Sequence, residues 1–244
     1  MYRYFIHLAY KGTNYHGWQN QPNAISVQEV LEKSLSTILR SKVEIVGAGR
    51  TDTGVHAKQM YAHFDFESLI PENLVQKMNA FLPHDIVIYD FILVDNASHA
   101  RFDAIERTYE YHIHPIKNPF LKEASYHFMQ TLNMDDMNKA AQILLTYNDF
   151  ECFSKLHTDV NTFICKITEA HWQKNNNQLI FTITANRFLR NMVRAIVGTL
   201  LDVGVGKINV NDLHQIIQSK NRNQAGFSVP AHGLYLTNVK YPYI

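Results

Sequence analysis

Ser26-Val27-Gln28-Glu29-Val30-Leu31-Glu32-Lys33-Ser34-Leu35-Ser36-Thr37-Ile38-Leu39 reads as one amphipathic helix. Ser26 with Glu29 three residues later makes a capping box, whose side chains satisfy amides that a helix start leaves open. Val27, Val30, Leu31, Ser34, Leu35, Ile38 and Leu39 recur at helical spacing and form its buried face. Upstream, Tyr2 to Tyr10 is a strand with Tyr2, Tyr4, Ile6, Leu8 and Tyr10 on one side, followed by a polar Gly- and Asn-rich loop from Lys11 to Ala24. Downstream, Lys42 to Ala48 and Gln59 to Phe66 read as strands. Pro71 opens a second helix with Leu74, Val75, Met78, Phe81 and Leu82 as its apolar face, and Pro83 ends it. Asp85 to Val94 is a β-branched strand. The order β-α-β-β-α-β is the ferredoxin-like arrangement.

The rest of the chain repeats that order without evident sequence identity. Arg107 to His114 alternates as a strand, and a loop with Pro115 and Pro119 follows. Asp135 to Tyr147 is a helix burying Met137, Ala141, Leu144 and Leu145. Phe163 to Trp172 and Leu179 to Asn186 form a hairpin around Asn175, Asn176 and Asn177. Helices are expected over Phe188 to Val203 and Asp212 to Ser219, and a last strand over Leu234 to Lys240. The expected fold is therefore α+β, with two ferredoxin-like halves, 1–100 and 101–244, meeting near Asn96 to Asp103. Two such halves side by side leave a cleft as the natural binding place.

Bulk composition narrows the classes. A chain of 244 residues with 46% hydrophobic content has enough apolar surface for a core and is not disordered. Met1 to Tyr10 does not read as a signal peptide, and Ala195 to Val205, broken by Gly198, Asp202 and Gly204, is too short to span a bilayer. Two cysteines, Cys152 and Cys165, make no disulfide framework and fit a reducing compartment. With His157 and His171 they have the spacing C-x4-H-x7-C-x5-H, which matches no zinc pattern, so no metal is expected. A net charge of +1 is modest for a nucleic-acid binder, but clustering of charge matters more than its total.

Three segments have the residue types of a site. Gly47-Ala48-Gly49-Arg50-Thr51-Asp52-Thr53-Gly54-Val55-His56-Ala57 follows an apolar strand and puts Asp52 at the tip of a glycine-rich turn. Such a turn lets a large ligand approach the backbone; the plainer alternative is an Asx turn in which Asp52 bonds its own backbone. Arg107-Thr108-Tyr109-Glu110-Tyr111 alternates so that Arg107, Tyr109 and Tyr111 share a face, suited either to stacking a nucleobase or to filling core. In Asn186 to Arg194, the residues Arg187, Arg190 and Arg194 recur at i, i+3 and i+7, as one helical stripe would. Cations at a helix start oppose the macrodipole, so anion binding is the better reason for them than stability.

These residues resemble the tRNA pseudouridine synthase A family. Gly49-Arg50-Thr51-Asp52 with Gly54-Val55-His56-Ala57 is similar to its catalytic motif. Tyr10-Lys11-Gly12-Thr13 with Gly17-Trp18-Gln19 resembles its N-terminal loop, and Val27-Gln28 with Leu31-Glu32 its first helix. Phe188-Leu189, Met192-Val193-Arg194 and Val197-Gly198 resemble a later motif, and Pro230-Ala231-His232-Gly233-Leu234-Tyr235-Leu236 the closing one. The resemblance implies the pseudouridine synthase fold, with Asp52 as the catalytic aspartate and nucleophile and Arg194 as its charge partner. It implies that Tyr109 stacks on the target uracil, that Leu234 walls it, and that Arg50 contacts RNA; Arg187 and Arg190 complete the expected RNA-binding set. It further implies a cytoplasmic homodimer without cofactor or metal, acting on uridines on the 3′ side of the tRNA anticodon stem-loop, positions 38–40. Thr53 stands where alanine is usual, and Gly226-Phe227-Ser228 is an unusual approach to the closing motif.

The reaction so implied breaks the bond from ribose C1′ to uracil N1, turns the base and joins C1′ to C5, with nothing added or removed. An ionised carboxylate can attack C1′, attack C6, or take a ribose proton to start an elimination. Burial would raise the pKa of Asp52 and a neighbouring guanidinium would lower it. The base must leave its stack at a cost of a few kcal/mol, of which stacking on tyrosine returns ~1–3 kcal/mol. A non-catalytic RNA-binding module would account for Tyr109 and the arginines but not for Arg50 to Ala57. A glycoside or nucleoside hydrolase normally needs a second carboxylate near Asp52, and the segment offers none; Asp65 and Glu67 lie on the following strand.

Overall fold

The computed structural model describes residues 1–155 and 160–244. Contacts group them into two units, Met1–Ile105 with Tyr235–Ile244, and Glu106–Leu234. Mostly antiparallel strands and five α-helices make up the described chain, the mixed architecture expected of it. No helix among the described residues is long and apolar enough to cross a membrane.

The first unit contains β1 (Tyr2–Tyr10), α1 (Val27–Leu39), β2 (Val46–Gly47), β3 (His56–Phe66), α2 (Leu74–Phe81) and β4 (Ile86–Val94). β1 is central, antiparallel to β3 on one side and to β4 on the other. Tyr4, Phe5, Ile6, Leu8 and Tyr10 are all buried, so both faces of β1 are covered rather than the single face its alternation implies. The closing strand, Leu234–Lys240, runs parallel to β3 through His56 with Tyr235 and Ala57 with Leu236. Ser26 caps α1 by accepting the Glu29 amide at 3.1 Å, while the Glu29 carboxylate pairs with Lys33 at 2.5 Å. Val27, Leu31 and Leu35 are the buried stripe of α1.

The expected strand Lys42 to Ala48 shrinks to the two residues of β2. Val43 and Ile45 are buried, but their amides donate to α1 side chains, Ser36 Oγ and Glu32 Oε1, each at 2.9 Å. An amide taken by a helix side chain is not available to a strand ladder, whatever the apolar alternation of its residues.

The second unit contains β5 (Glu106–His114), β6 (Tyr126–His127), α3 (Met134–Leu144), β7 (Ile167–Asn175), β8 (Gln178–Ala185), α4 (Met192–Gly204) and α5 (Asp212–Ser219); the closing strand is β9. β8 lies between β5 and β7, antiparallel to both, and β6 adds to β5 in parallel. The β7–β8 hairpin turns at Asn176, whose φ of 51° is one that asparagine tolerates. α3 buries Met137, Ala140, Ala141 and Leu144, whereas Leu145 is 37% exposed.

The helix expected from Phe188 begins four residues later. Asn191 sits at φ 67° and the Met192 amide turns back to the Leu189 carbonyl at 3.1 Å, so the helix starts only at Met192. The Arg190 carbonyl accepts the Lys155 amide at 3.1 Å, outside any helical ladder. Arg187 and Arg190 therefore precede α4, and the three arginines do not form one helical stripe.

Candidate active site

In the first unit the segment after β2 folds as a tight turn with Asp52 in its first position. The Val55 amide donates to the Asp52 carbonyl at 3.1 Å, and Gly54 at φ 78° takes the third position, where a type II turn needs a left-handed residue. An Asx turn would place the Gly54 amide on the Asp52 carboxylate. That amide donates instead to the Tyr15 carbonyl at 3.4 Å, so the turn closes through backbone groups. Asp52 is partly exposed, Arg50 is exposed, and Thr51 between them is buried.

A second loop, Gly12 to Trp18, backs this turn. The Trp18 amide donates to the Thr51 carbonyl at 3.2 Å, and the Gly12 amide donates to Nδ1 of buried His56 at 2.9 Å. The Tyr10 and Thr51 hydroxyls share a buried hydrogen bond of 2.9 Å. Behind them the Tyr15 hydroxyl bonds Asp85, which also accepts from Asn14 Nδ2 at 2.9 Å. A Cβ on Gly12 would lie 2.0 Å from the Val55 carbonyl oxygen, so the two loops touch through bare backbone. Gly17 and Trp18 carbonyls accept the Val27 and Gln28 amides at 3.2 and 3.0 Å, which ties this loop to the start of α1.

Asp65, the carboxylate a hydrolase could have used, is engaged elsewhere. It takes a bidentate bond from Arg3 at 2.8 and 2.7 Å, and that guanidinium holds its carboxyl below the ordinary range. It pairs Arg3 across from the start of β1, whereas Asp52 precedes the opposite end of β3.

The second unit contains Tyr109, Arg187, Arg190, Arg194 and Leu234. Tyr109 lies in the middle of β5, half-buried, with the Phe188 ring against it edge-on at 5.1 Å between centroids. Tyr111, two residues on, is fully buried and donates its hydroxyl to the Pro230 carbonyl at 2.8 Å, so it is core rather than a stacking face. Arg194, in the first turn of α4, donates Nε to the Val229 carbonyl at 2.7 Å and accepts the Val229 amide on its own carbonyl at 3.2 Å. Gly233 packs on the Tyr111 ring, where a Cβ would approach Cζ to 2.7 Å. The segment Val229 to Gly233, which leads into Leu234, is thus gripped by Arg194 and Tyr111.

Gly226-Phe227-Ser228 has a structural role here. A Cβ on Gly198 would sit 1.8 Å from the Phe227 carbonyl oxygen, and the Gly226 amide donates to Thr199 Oγ1 at 2.8 Å. Ser228 Oγ accepts from Asn191 Nδ2 at 2.6 Å and from Arg222 Nη2 at 2.9 Å. Arg187 donates Nη1 to the Thr162 carbonyl at 3.3 Å, and Arg190 is exposed. Sequence patterns offered no signal for the Tyr10–Thr51, Tyr15–Asp85 or Arg222–Ser228 bonds, because no helical or strand period links the residues they join.

Cys152 and Cys165 are free and buried, and burial pushes their thiols up to about 12 and about 11. Among the described residues no three His, Cys, Asp or Glu side chains are grouped to hold a metal ion; His157 of the zinc spacing lies outside the described residues.

A family model described as tRNA pseudouridine synthase matches residues 7–103 and 140–242. A tRNA pseudouridine synthase A of Bacteroides fragilis is 54% identical over 243 residues, covering 98% of this chain and 96% of that protein. One of Bacteroides thetaiotaomicron is 53% identical over 246 residues, covering 99% and 91%. One of Bacillus subtilis is 40% identical over 239 residues, covering 96% and 97%. Matched over most of its length by the model and over nearly all of it by these relatives, the chain belongs to the tRNA pseudouridine synthase family of isomerases.

Proposed function

We propose that this isomerase converts uridine to pseudouridine on the 3′ side of the tRNA anticodon stem-loop, positions 38–40, with Asp52 as the reacting carboxylate. The observation that carries this reading is the backbone-closed turn presenting Asp52, buttressed by a second loop through Thr51 and Gly54. A carboxylate presented on so constrained a backbone is suited to work as a nucleophile or base, because its position is set before substrate arrives. In this reading Arg194 is its charge partner, since a guanidinium stays charged at every working pH. Tyr109 stacks on the extruded uracil and Leu234 walls it, while Arg50, Arg187 and Arg190 bind the RNA backbone. The first half, 1–100, supplies the aspartate loop, and the second, 101–244, the stacking tyrosine and the arginines.

The reaction needs no external atom. The N1–C1′ bond breaks, the base turns, and C5 replaces N1 on C1′ while the C5 proton is lost and N1 gains one. Asp52 begins this by attack on C1′, by attack on C6 or by taking a ribose proton, and each route requires it ionised. No cofactor or metal enters the proposal. A cytoplasmic homodimer is the form in which we expect the enzyme to act.

The test is Asp52→Asn with a tRNA bearing uridines inside and outside the stem-loop. RNA affinity comes mainly from cations and stacking, so the dissociation constant should stay within about tenfold, or ~1.4 kcal/mol. The single-turnover rate should fall by orders of magnitude, with the melting temperature barely changed. A fully active Asp52→Asn enzyme overturns the mechanism, and pseudouridine formed only outside the stem-loop overturns the site assignment. RNA binding without any conversion by the unmodified chain would favour the binding-module reading.

A further inference from the structure

We infer that Tyr10 is a positioning residue for the isomerisation, acting through Thr51 to set the direction in which Asp52 leaves its turn. This rests on the proposal that Asp52 is the reacting carboxylate.

Tyr10 ends β1, and Thr51 precedes Asp52 by one residue. Their hydroxyls meet at 2.9 Å across a separation of 41 residues, at positions only 4% and 8% exposed. The carbonyl of Thr51 is taken by the Trp18 amide at 3.2 Å, and Gly17 lies against the same carbonyl. Thr51 is therefore held at its backbone by one loop and at its side chain by Tyr10. With both ends of that residue tied, the next Cα, that of Asp52, has little freedom to wander.

Strand geometry aims Tyr10 at this task. The β1–β3 register runs Leu8 with Met60 and then Tyr10 with Ala57, so β3 contains an extra residue there. A bulge of this kind twists the strand locally and re-aims the side chain beside it. The Tyr10 ring rests against Trp18, at 6.1 Å between centroids, which fixes the height at which its hydroxyl arrives. Burial alone does not call for this polar pair, because replacing both partners by apolar groups of similar shape, phenylalanine and valine, would leave no hydroxyl to satisfy. What the pair adds over such a substitution is direction.

The experiment compares Tyr10→Phe, Thr51→Val, Thr51→Ser, the Tyr10→Phe/Thr51→Val double variant and Asp52→Asn as full-length proteins. Each is measured for single-turnover pseudouridine formation at saturating tRNA, tRNA affinity and melting temperature. Tyr10→Phe and Thr51→Val should each slow the chemical step by about tenfold or more, while affinity stays within about threefold. The double variant should be no slower than the slower single, because both remove the same bond. Thr51→Ser keeps the hydroxyl and should restore most of the rate. A purely structural bond would lower the melting temperature and leave the rate per folded molecule intact, which would overturn the inference. So would losses that multiply in the double variant, or equal rates for Thr51→Ser and Thr51→Val; the last comparison serves even if Tyr10→Phe fails to fold. An active Asp52→Asn enzyme sinks the parent reading, whereas an inactive one beside a fully active Tyr10→Phe sinks this inference alone.

Discussion

Gly17→Ala should disable the enzyme through a single methyl group. Gly17 has φ of 90°, and an L-residue with a Cβ pays about 1–2 kcal/mol for left-handed backbone. The larger effect is steric. The new Cβ would lie 2.4 Å from the Thr51 carbonyl oxygen and 3.2 Å from the Asp52 carbonyl carbon, both backbone atoms that cannot rotate aside. Ordinary contact begins near 3.4 Å, so the Thr51–Asp52 peptide must retreat by roughly 1 Å. The 3.2 Å bond from the Trp18 amide would then stretch past hydrogen-bond range. Together these cost about 2–4 kcal/mol of stability. A reacting group displaced by about 1 Å loses on the order of a hundredfold in rate. Single-turnover conversion of tRNA below the melting transition, with tRNA affinity alongside, should show that loss at near-normal binding. Gly206→Ala is the control: φ is 74° but no atom lies within 4 Å, so it carries the backbone cost without the clash and should leave the rate unchanged. Wild-type turnover in Gly17→Ala, or equal losses in both variants, would refute the reasoning.

Three further outcomes are expected. Tyr109→Phe should keep base stacking and Tyr109→Ala should lose ~1–3 kcal/mol more in kcat/KM; near-total and equal loss in both would assign the work to the hydroxyl. Arg190→Ala should weaken tRNA binding and lower the salt slope by about one unit in a binding titration, and an unchanged slope removes Arg190 from the RNA surface. Burial, helped by Arg3 and His99, holds His63 down at about 4, and its Nδ1 accepts the Ala100 amide at 3.2 Å. The unfolded chain then binds a proton that the folded one refuses, so stability is full above the ordinary value of 6.5 and is lost as pH falls towards 4. His63→Asn, which cannot titrate, should flatten urea-unfolding stability across that window by up to about 3 kcal/mol, and coincident pH profiles would sink the assignment.

Local chemistry alone determined much of this protein. Ser26 and the i, i+3, i+4 apolar repeat after it sufficed for α1, and Pro83 marked the end of α2, although that helix starts at Leu74 after an Asn73 cap and not at Pro71. Those signals are readable because a helix bonds within itself, and its buried stripe leaves a period in the sequence. The Gly49 to Ala57 segment was legible as a glycine-rich turn around Asp52 because glycine spacing is itself a backbone statement. Tertiary structure decided what no local period records. Val43 and Ile45 alternate like a strand, yet their amides belong to Ser36 and Glu32. Arg187, Arg190 and Arg194 share a helical spacing, yet Asn191 takes a left-handed conformation and only Arg194 lies in α4. The closing strand Leu234–Lys240 was visible as a strand, but its parallel pairing with β3, His56 beside Tyr235 and Ala57 beside Leu236, was not. The same holds for the Tyr10–Thr51 bond. Strand partners and hydroxyl pairs are chosen by which surfaces meet when the core closes, and a residue's neighbours in sequence contain no trace of that choice.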